Sequence, residues 1–74
     1  MSYSLKDLSP GERGVVTALT TEGRMRRRLM DIGLVEGTMV ECVGVSPWGD
    51  PSAYLIRGAV IALRNRDSQT VLIR

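Results

Sequence analysis

The sequence predicts a mainly β domain, a small five-stranded barrel with one short α-helix inserted between its first and second strands. Short runs rich in β-branched residues are separated by closely spaced glycine and proline turns, as in small barrels. The basic stretch 23–32 instead repeats apolar side chains at helical spacing. A chain of 74 residues is too short for a cofactor domain beside a substrate domain, so we expect residues 1–74 to form a single domain.

The N-terminal third predicts a lead-in, a turn and the first strand. Leu5 and Leu8 are expected to pack on the domain, and a β-turn follows at Pro10-Gly11. Residues 13–19 place Val, Thr and Leu on one side and Val and Ala on the other, as in a strand. Thr20 and Thr21 are expected to cap the helix that follows.

The helix and its end are predicted by apolar spacing and by one glycine. Met25, Leu29 and Ile32 fall at i, i+4 and i+7, which places them on one helical face. Gly33 supplies the left-handed turn that ends many helices, and Leu34 can then fold back on Leu29. A helix this short is not stable alone in water, so this apolar stripe must dock on the sheet.

The remaining strands are predicted at 38–45, 53–57, 59–64 and 70–73, with a loop at 46–52 and a helical turn near 65–68. Gly44 suggests a bulge, and Arg57-Gly58 suggests a tight hairpin in which Leu55 faces Val60. Both faces of that hairpin are apolar, so we expect one to line the barrel and the helix to cover part of the other. Five short strands closed around a core, with one helix, are typical of an SH3-like barrel.

The composition is poor in histidine, cysteine and lysine, which are residue types that catalysis and metal binding commonly use. The chain has no histidine, one cysteine and one lysine, so it lacks the usual base for a nucleophile and the lysine of a phosphate-binding loop. Cys42 lies between valines and is expected to be a small core side chain. The sequence therefore predicts no enzyme, no cofactor and no metal site. It also predicts no secretory leader and no membrane span.

Four residues are candidates for contact with a partner. Arg26, Arg27 and Met30 fall opposite the docked stripe, either as a protein-contact patch or as an ordinary solvated face. Trp48 lies in the proline-containing loop, where its ring either folds back over one end of the barrel or anchors a partner. A net charge of +2 and three aromatic residues give only a weak signal for nucleic acid.

Several motifs, taken in order, resemble the FeoA family of bacterial ferrous iron uptake. They are Leu8-Ser9-Pro10-Gly11-Glu12, Arg28-Leu29-Met30-Asp31-Ile32-Gly33-Leu34, Glu36-Gly37-Thr38, Pro47-Trp48-Gly49-Asp50-Pro51, residues 54–58 and Ala62-Leu63-Arg64. The resemblance covers nearly the whole chain, and its Leu-x-x-x-Gly-Leu-x-x-Gly-Thr core is fairly specific. Val35 stands where the family often has proline.

The resemblance implies an SH3-like accessory protein of the cytoplasm that modulates the membrane transporter FeoB by contact on its GTPase side. It implies neither nucleic-acid binding nor membrane insertion, and it leaves weak self-association open. The alternatives are a nucleic-acid-binding small β-barrel, or an SH3-like domain related to iron-dependent repressors.

Overall fold

The computed structural model describes residues 3–74, which form six β-strands and two α-helices. The strands are β1 (Tyr3–Ser4), β2 (Arg13–Leu19), β3 (Met39–Val45), β4 (Ser52–Ile56), β5 (Ala59–Leu63) and β6 (Val71–Ile73). The helices are α1 (Gly23–Asp31), between β2 and β3, and the short α2 (Asn65–Ser68). A 3₁₀ turn, Leu5–Asp7, follows β1. Over the described range, no helix has the length and apolar character needed to cross a bilayer.

All strand pairs are antiparallel, and the order across the sheet is β1-β6-β2-β3-β4-β5. The first half of β2 pairs with β3, with Gly14 opposite Val40, and its second half pairs with β6, with Leu19 opposite Val71. A register shift between Val16 and Ala18 accompanies this change of partner. β2 therefore bends from one part of the sheet into the other, as strands at the corners of small barrels do.

The predicted mainly β, SH3-like class is confirmed, and the structure adds β1 to the five predicted strands. Tyr3 and Ser4 pair with Ile73 and Leu72 of β6. A strand of two residues is too short to show alternation, so no sequence pattern could indicate it. The hydrogen-bonded sheet of residues 3–74 has two ends, β1 and β5, rather than the closed ring that we expected.

The predicted details of β3 to β5 are confirmed. The register shifts between Cys42 and Gly44, which is the expected bulge. Leu55 lies opposite Val60 across the hairpin. The turn between these strands has positive φ at both Arg57 (50°) and Gly58 (85°), as a two-residue hairpin turn requires.

The core lies inside the bent sheet and beneath α1. Its buried apolar side chains are Leu5, Val16, Leu29, Leu34, Val40, Cys42, Tyr54, Ile56, Leu63, Val71 and Ile73. Leu8, Met25 and Ile32 are half-buried against them, so the expected packing of the lead-in and of the helical stripe is confirmed. The Tyr54 hydroxyl donates a hydrogen bond of 3.1 Å to the Leu5 carbonyl, which satisfies the one phenol in this core.

The end of α1 is as predicted. Gly33 has φ of +106°, and its N–H donates to the Met30 carbonyl at 3.0 Å. The Leu34 N–H reaches back to the Leu29 carbonyl, also at 3.0 Å, and both leucine side chains are buried. These two bonds form a Schellman motif with its apolar contact. The motif fixes where the chain leaves α1 and enters the turn before β3.

Two expectations about α1 are wrong. The N-cap residue is Glu22, without a side-chain hydrogen bond, whereas the Thr20 hydroxyl donates to the Thr70 carbonyl at 3.3 Å. Thr20 is thus held by Thr70, the residue before β6, and does not cap α1. The helix also packs on the same core as Tyr54, Ile56 and Leu63 and leaves the Leu55–Val60 face of the hairpin uncovered, with Val60 64% exposed.

Candidate functional site

The outer side of α1 brings together three of the four predicted contact residues. Arg26 and Arg27 are exposed, and Met30 keeps 42% of its surface in solvent although it is apolar. They lie opposite the stripe that docks on the core, as the helical spacing predicts. We call Arg24, Arg26, Arg27 and Met30 the basic helix surface.

Two adjoining grooves flank Met30. The first, of about 650 Å³, is open and runs along α1 past Arg24, Arg26, Arg27 and Met30. The second, of about 290 Å³, lies between α1, β2 and the chain after α1. Its lining includes Thr17, Leu19, Leu34, Val35, Arg26 and Met30. Arg26 and Met30 line both grooves, so the two grooves adjoin at these residues.

The Arg26 side chain is held by the backbone of β2, the strand that lines the second groove. Its Nη1 donates a hydrogen bond of 3.1 Å to the Leu19 carbonyl, the last residue of that strand. A guanidinium has five N–H donors, so one such bond leaves the others free for an acceptor. No local pattern predicts this contact, because it joins residues seven apart across the turn between β2 and α1.

The arginines of the basic helix surface have no carboxylate partner within the described part of the chain. The ion pair found among residues 3–74 joins Arg13 to Glu41 at 3.4 Å, on a different face. Asp31 lines the first groove and Glu36 the second, but neither lies within 4.0 Å of an arginine nitrogen. The surface therefore offers unpaired positive charge around an apolar centre.

Trp48 lies apart from these three residues, in the loop between β3 and β4. It lines neither of the grooves that contain Met30. Its side chain is 90% exposed, so the interpretation that the indole covers one end of the barrel is wrong. Exposed tryptophan is a residue type that often anchors a partner, so the anchor interpretation stays a prediction.

The loop that carries Trp48 is braced, although its tip is in solvent. The Gly49 N–H donates to the Ser46 carbonyl at 2.8 Å, which closes a turn around Pro47 and Trp48. Asn65 holds the loop from α2, because its backbone N–H donates to Asp50 Oδ1 at 2.9 Å and its side-chain amide donates to the Gly49 carbonyl at 3.2 Å. The indole is thus presented on a fixed support, which lowers the entropy cost of a contact.

The core contains one thiol and one phenol, those of Cys42 and Tyr54. Cys42 is buried, with its Sγ 3.8 Å from the Gly44 carbonyl oxygen. Burial raises the pKa of the Tyr54 hydroxyl above its ordinary value of 10.0, with neighbouring Ser68 and Ser52 hydroxyls opposing the rise. Across residues 3–74 no three Cys, Asp or Glu side chains are grouped so that they could hold a metal ion.

Sequence reasoning missed one further exposed surface, on the outer side of β3, β4 and β5. Met39 is 57% exposed there, Val60 is still more exposed, and the half-buried Leu55 lies between the strands that carry them. The signal in the sequence that could have indicated this surface is the second apolar face of the hairpin, where Leu55 lies opposite Val60. Only the position of α1 shows that this face stays open.

Solved structures with high similarity to the chain share its whole fold. An FeoA-like protein from Clostridium acetobutylicum is 30% identical, with a TM-score of 0.89 over 99% of this chain and 85% of that one. The FeoA protein of Chlorobium tepidum is 32% identical, with a TM-score of 0.90 over 97% of this chain and 69% of that one. A manganese-dependent transcriptional repressor aligns with 97% of this chain and 40% of its own, at a TM-score of 0.84. Its 16% identity makes this a likeness of fold alone.

A curated relative joins the same kind of sequence to a transporter. It is the Porphyromonas gingivalis fusion of Fe(2+) transport protein A with the Fe(2+) transporter FeoB, 28% identical over 67 residues. The match takes in 90% of this chain and 8% of that protein. The family model described as the FeoA domain matches residues 3–74, which is the whole described range. The chain belongs to the FeoA family.

Proposed function

We propose that this protein is a non-enzymatic accessory of ferrous iron uptake, which acts in the cytoplasm by binding an FeoB-type membrane transporter on its GTPase side. The proposal requires a surface for contact and no reactive pocket. Exposed Met30 among unpaired arginines, together with exposed Trp48, supplies such a surface. Both residue types are enriched at protein interfaces.

The observation that carries the proposal is the fused relative. Joining two modules in one polypeptide raises the concentration of each at the other to the millimolar range, which favours a contact that is weak between separate chains. We propose that this chain has an affinity for the corresponding part of an FeoB-type transporter. The basic helix surface is our candidate for that affinity, and Trp48 is a second point of contact.

An iron uptake assay with charge reversals tests the proposal. The strain should lack its own copy of this protein and contain the transporter, and uptake of radiolabelled ferrous iron should be measured. We expect Arg26→Glu together with Arg27→Glu to abolish the support that this protein gives, because both reversed side chains would repel an acidic partner surface. The variant should remain folded, since both positions are exposed.

The matched control is Arg64→Glu with Arg66→Glu, which changes the net charge by the same amount on the far flank of α1. These two arginines line a separate groove with Met25, Pro51 and Leu63. We expect the control to support uptake like the original chain. Full uptake with the Arg26 and Arg27 reversals would remove the basic helix surface from the proposal. Equal loss in both double variants would show that only net charge matters.

Self-association stays an open prediction. Sedimentation velocity over a concentration series tests it, since a weak oligomer gives a sedimentation coefficient that rises with concentration.

A further inference from the structure

The basic helix surface combines two recognition elements that select for different properties of a partner. Its apolar element is Met30, whose unbranched thioether adapts to irregular apolar partners, together with Leu19 and Val35, which line the second groove. Its charged element is a set of three guanidinium groups, all of which line the first groove and one of which, that of Arg26, also lines the second. A partner that satisfies both must bring an apolar side chain and negative charge in the same short segment.

The charge balance at the two grooves favours an anionic occupant. Arg24, Arg26 and Arg27 line them with only two carboxylates, Asp31 and Glu36, and no ion pair neutralises any of the three within residues 3–74. Arginine binds carboxylates in a bidentate manner, with two parallel N–H donors. The bond from Arg26 to the Leu19 carbonyl already fixes one of these guanidinium groups. The conformational entropy of this side chain is therefore reduced already in the free protein, so binding a partner reduces it less.

A single-stranded nucleic acid is the other anionic macromolecule that we considered for these grooves. It fits them less well than an acidic protein segment does. Proteins of that kind stack bases on aromatic side chains along a basic groove. The residues that line the two grooves include no aromatic side chain, and Trp48 lies in another part of the surface. A protein segment brings its own apolar side chains and needs no stacking platform.

We infer that the basic helix surface binds an acidic peptide segment that carries at least one large apolar side chain, seated beside Met30 with its carboxylates on Arg24, Arg26 and Arg27. This inference rests on the proposed function, because it specifies the chemistry of the transporter segment that the surface would contact. It extends that proposal by requiring the apolar side chain as well as the charge.

Three dye-labelled probes test the inference by fluorescence polarisation with the full chain. The first is a short synthetic peptide of glutamate with two leucines, the second replaces the leucines with alanine, and the third is an oligothymidylate of equal charge. We expect the leucine peptide to bind at least about tenfold more tightly than either of the others. Its affinity should fall with added salt, because exposed ion pairs are screened.

Variants then locate the binding site. Arg26→Glu with Arg27→Glu should weaken the leucine peptide at least about tenfold, whereas Arg64→Glu with Arg66→Glu, which also takes the net charge from +2 to −2, should weaken it much less. Met30→Ala should reduce the preference for leucine over alanine. Equal binding of the two peptides, or tighter binding of the oligothymidylate, would overturn the inference.

The failure of this inference can be distinguished from that of the proposed function. If Arg26 and Arg27 are required for iron uptake while the leucine peptide does not bind, contact through this surface stands and the stated chemistry of the partner is wrong. If the peptide binds as expected while iron uptake is unchanged by Arg26→Glu with Arg27→Glu, the surface has the inferred chemistry but does not bind the transporter.

Discussion

The two faces of α1 differ in what holds them. The inner face docks Leu29 in the core, and the Schellman motif at Gly33 returns Leu34 to the same place. The outer face carries Arg26 and Met30 in solvent, and the Arg26 guanidinium donates a hydrogen bond to the Leu19 carbonyl of the sheet. The comparison teaches that a nine-residue helix needs only a narrow apolar stripe to dock, so its other positions are available for recognition. Substitutions on the inner face should change stability, and substitutions on the outer face should change binding.

The largest expected effect comes from the centre of the inner face. Leu29→Ala should lower the free energy of unfolding by about 2–5 kcal/mol, because it removes a fully buried side chain and leaves a cavity. Urea unfolding followed by circular dichroism measures this change. Met30→Ala, one residue further along the helix, is the control and should stay within about 0.5 kcal/mol of the original chain. Similar losses for both would mean that the two faces are not distinct.

The end of the helix gives the next effect. Gly33→Ala should cost about 1–3 kcal/mol, because alanine is strained at φ of +106°. The new Cβ would also lie 2.9 Å from Arg57 Cδ. Gly37→Ala is the matched control, since Gly37 has φ of +90° and no atom within 4 Å of an added Cβ. A larger loss at Gly33 than at Gly37 in thermal unfolding would measure the crowding alone, and equal losses would contradict it.

The two faces of α1 also differ in how much of their structure could be predicted from the sequence. The inner face, the glycine stop and the hairpin register follow from local spacing and turn chemistry, so Leu29, Gly33 and the Arg57-Gly58 turn could be predicted. The position of β2 beside Met30 and the reach of Arg26 to Leu19 depend on the packed fold, which no local pattern contains. The loop that carries Trp48 is held in the same way by the packed fold, through bonds from Asn65 to Gly49 and Asp50.

The core beneath the inner face contains the Tyr54 hydroxyl. At neutral pH its removal should lower the free energy of unfolding less than the substitutions at Leu29 and Gly33. Tyr54→Phe should cost about 1 kcal/mol, the net value of one hydrogen bond, because the Leu5 carbonyl still accepts from the Leu8 N–H at 3.1 Å. Urea unfolding at neutral pH measures this loss. A cost as large as that of Leu29→Ala would mean that packing around the ring, and not the hydroxyl, had changed.

The same substitution has a pH signature. Because burial raises the pKa of Tyr54 in the folded state, the unfolded chain releases the phenolic proton first as pH rises through about 10. The folded state then holds more protons than the unfolded state, so stability falls with pH from that point. Tyr54→Phe should flatten this alkaline decline in unfolding experiments from about pH 8 to about pH 11. A decline as steep in Tyr54→Phe as in the original chain would contradict this assignment.

The smallest expected effect on stability is at Trp48, which shares its exposure with the outer face of α1 but not its location. Trp48→Ala should change the free energy of unfolding by less than about 0.5 kcal/mol, because the indole has few contacts to lose. Since Trp48 is the one tryptophan in the chain, fluorescence of the original protein excited at wavelengths that tyrosine does not absorb reports on this side chain alone. Its emission should lie at the long wavelength of a hydrated indole and shift to shorter wavelength when a transporter fragment binds. Lost stability with intact uptake would eliminate the anchor interpretation, whereas unchanged stability with reduced uptake would place a second point of contact away from α1.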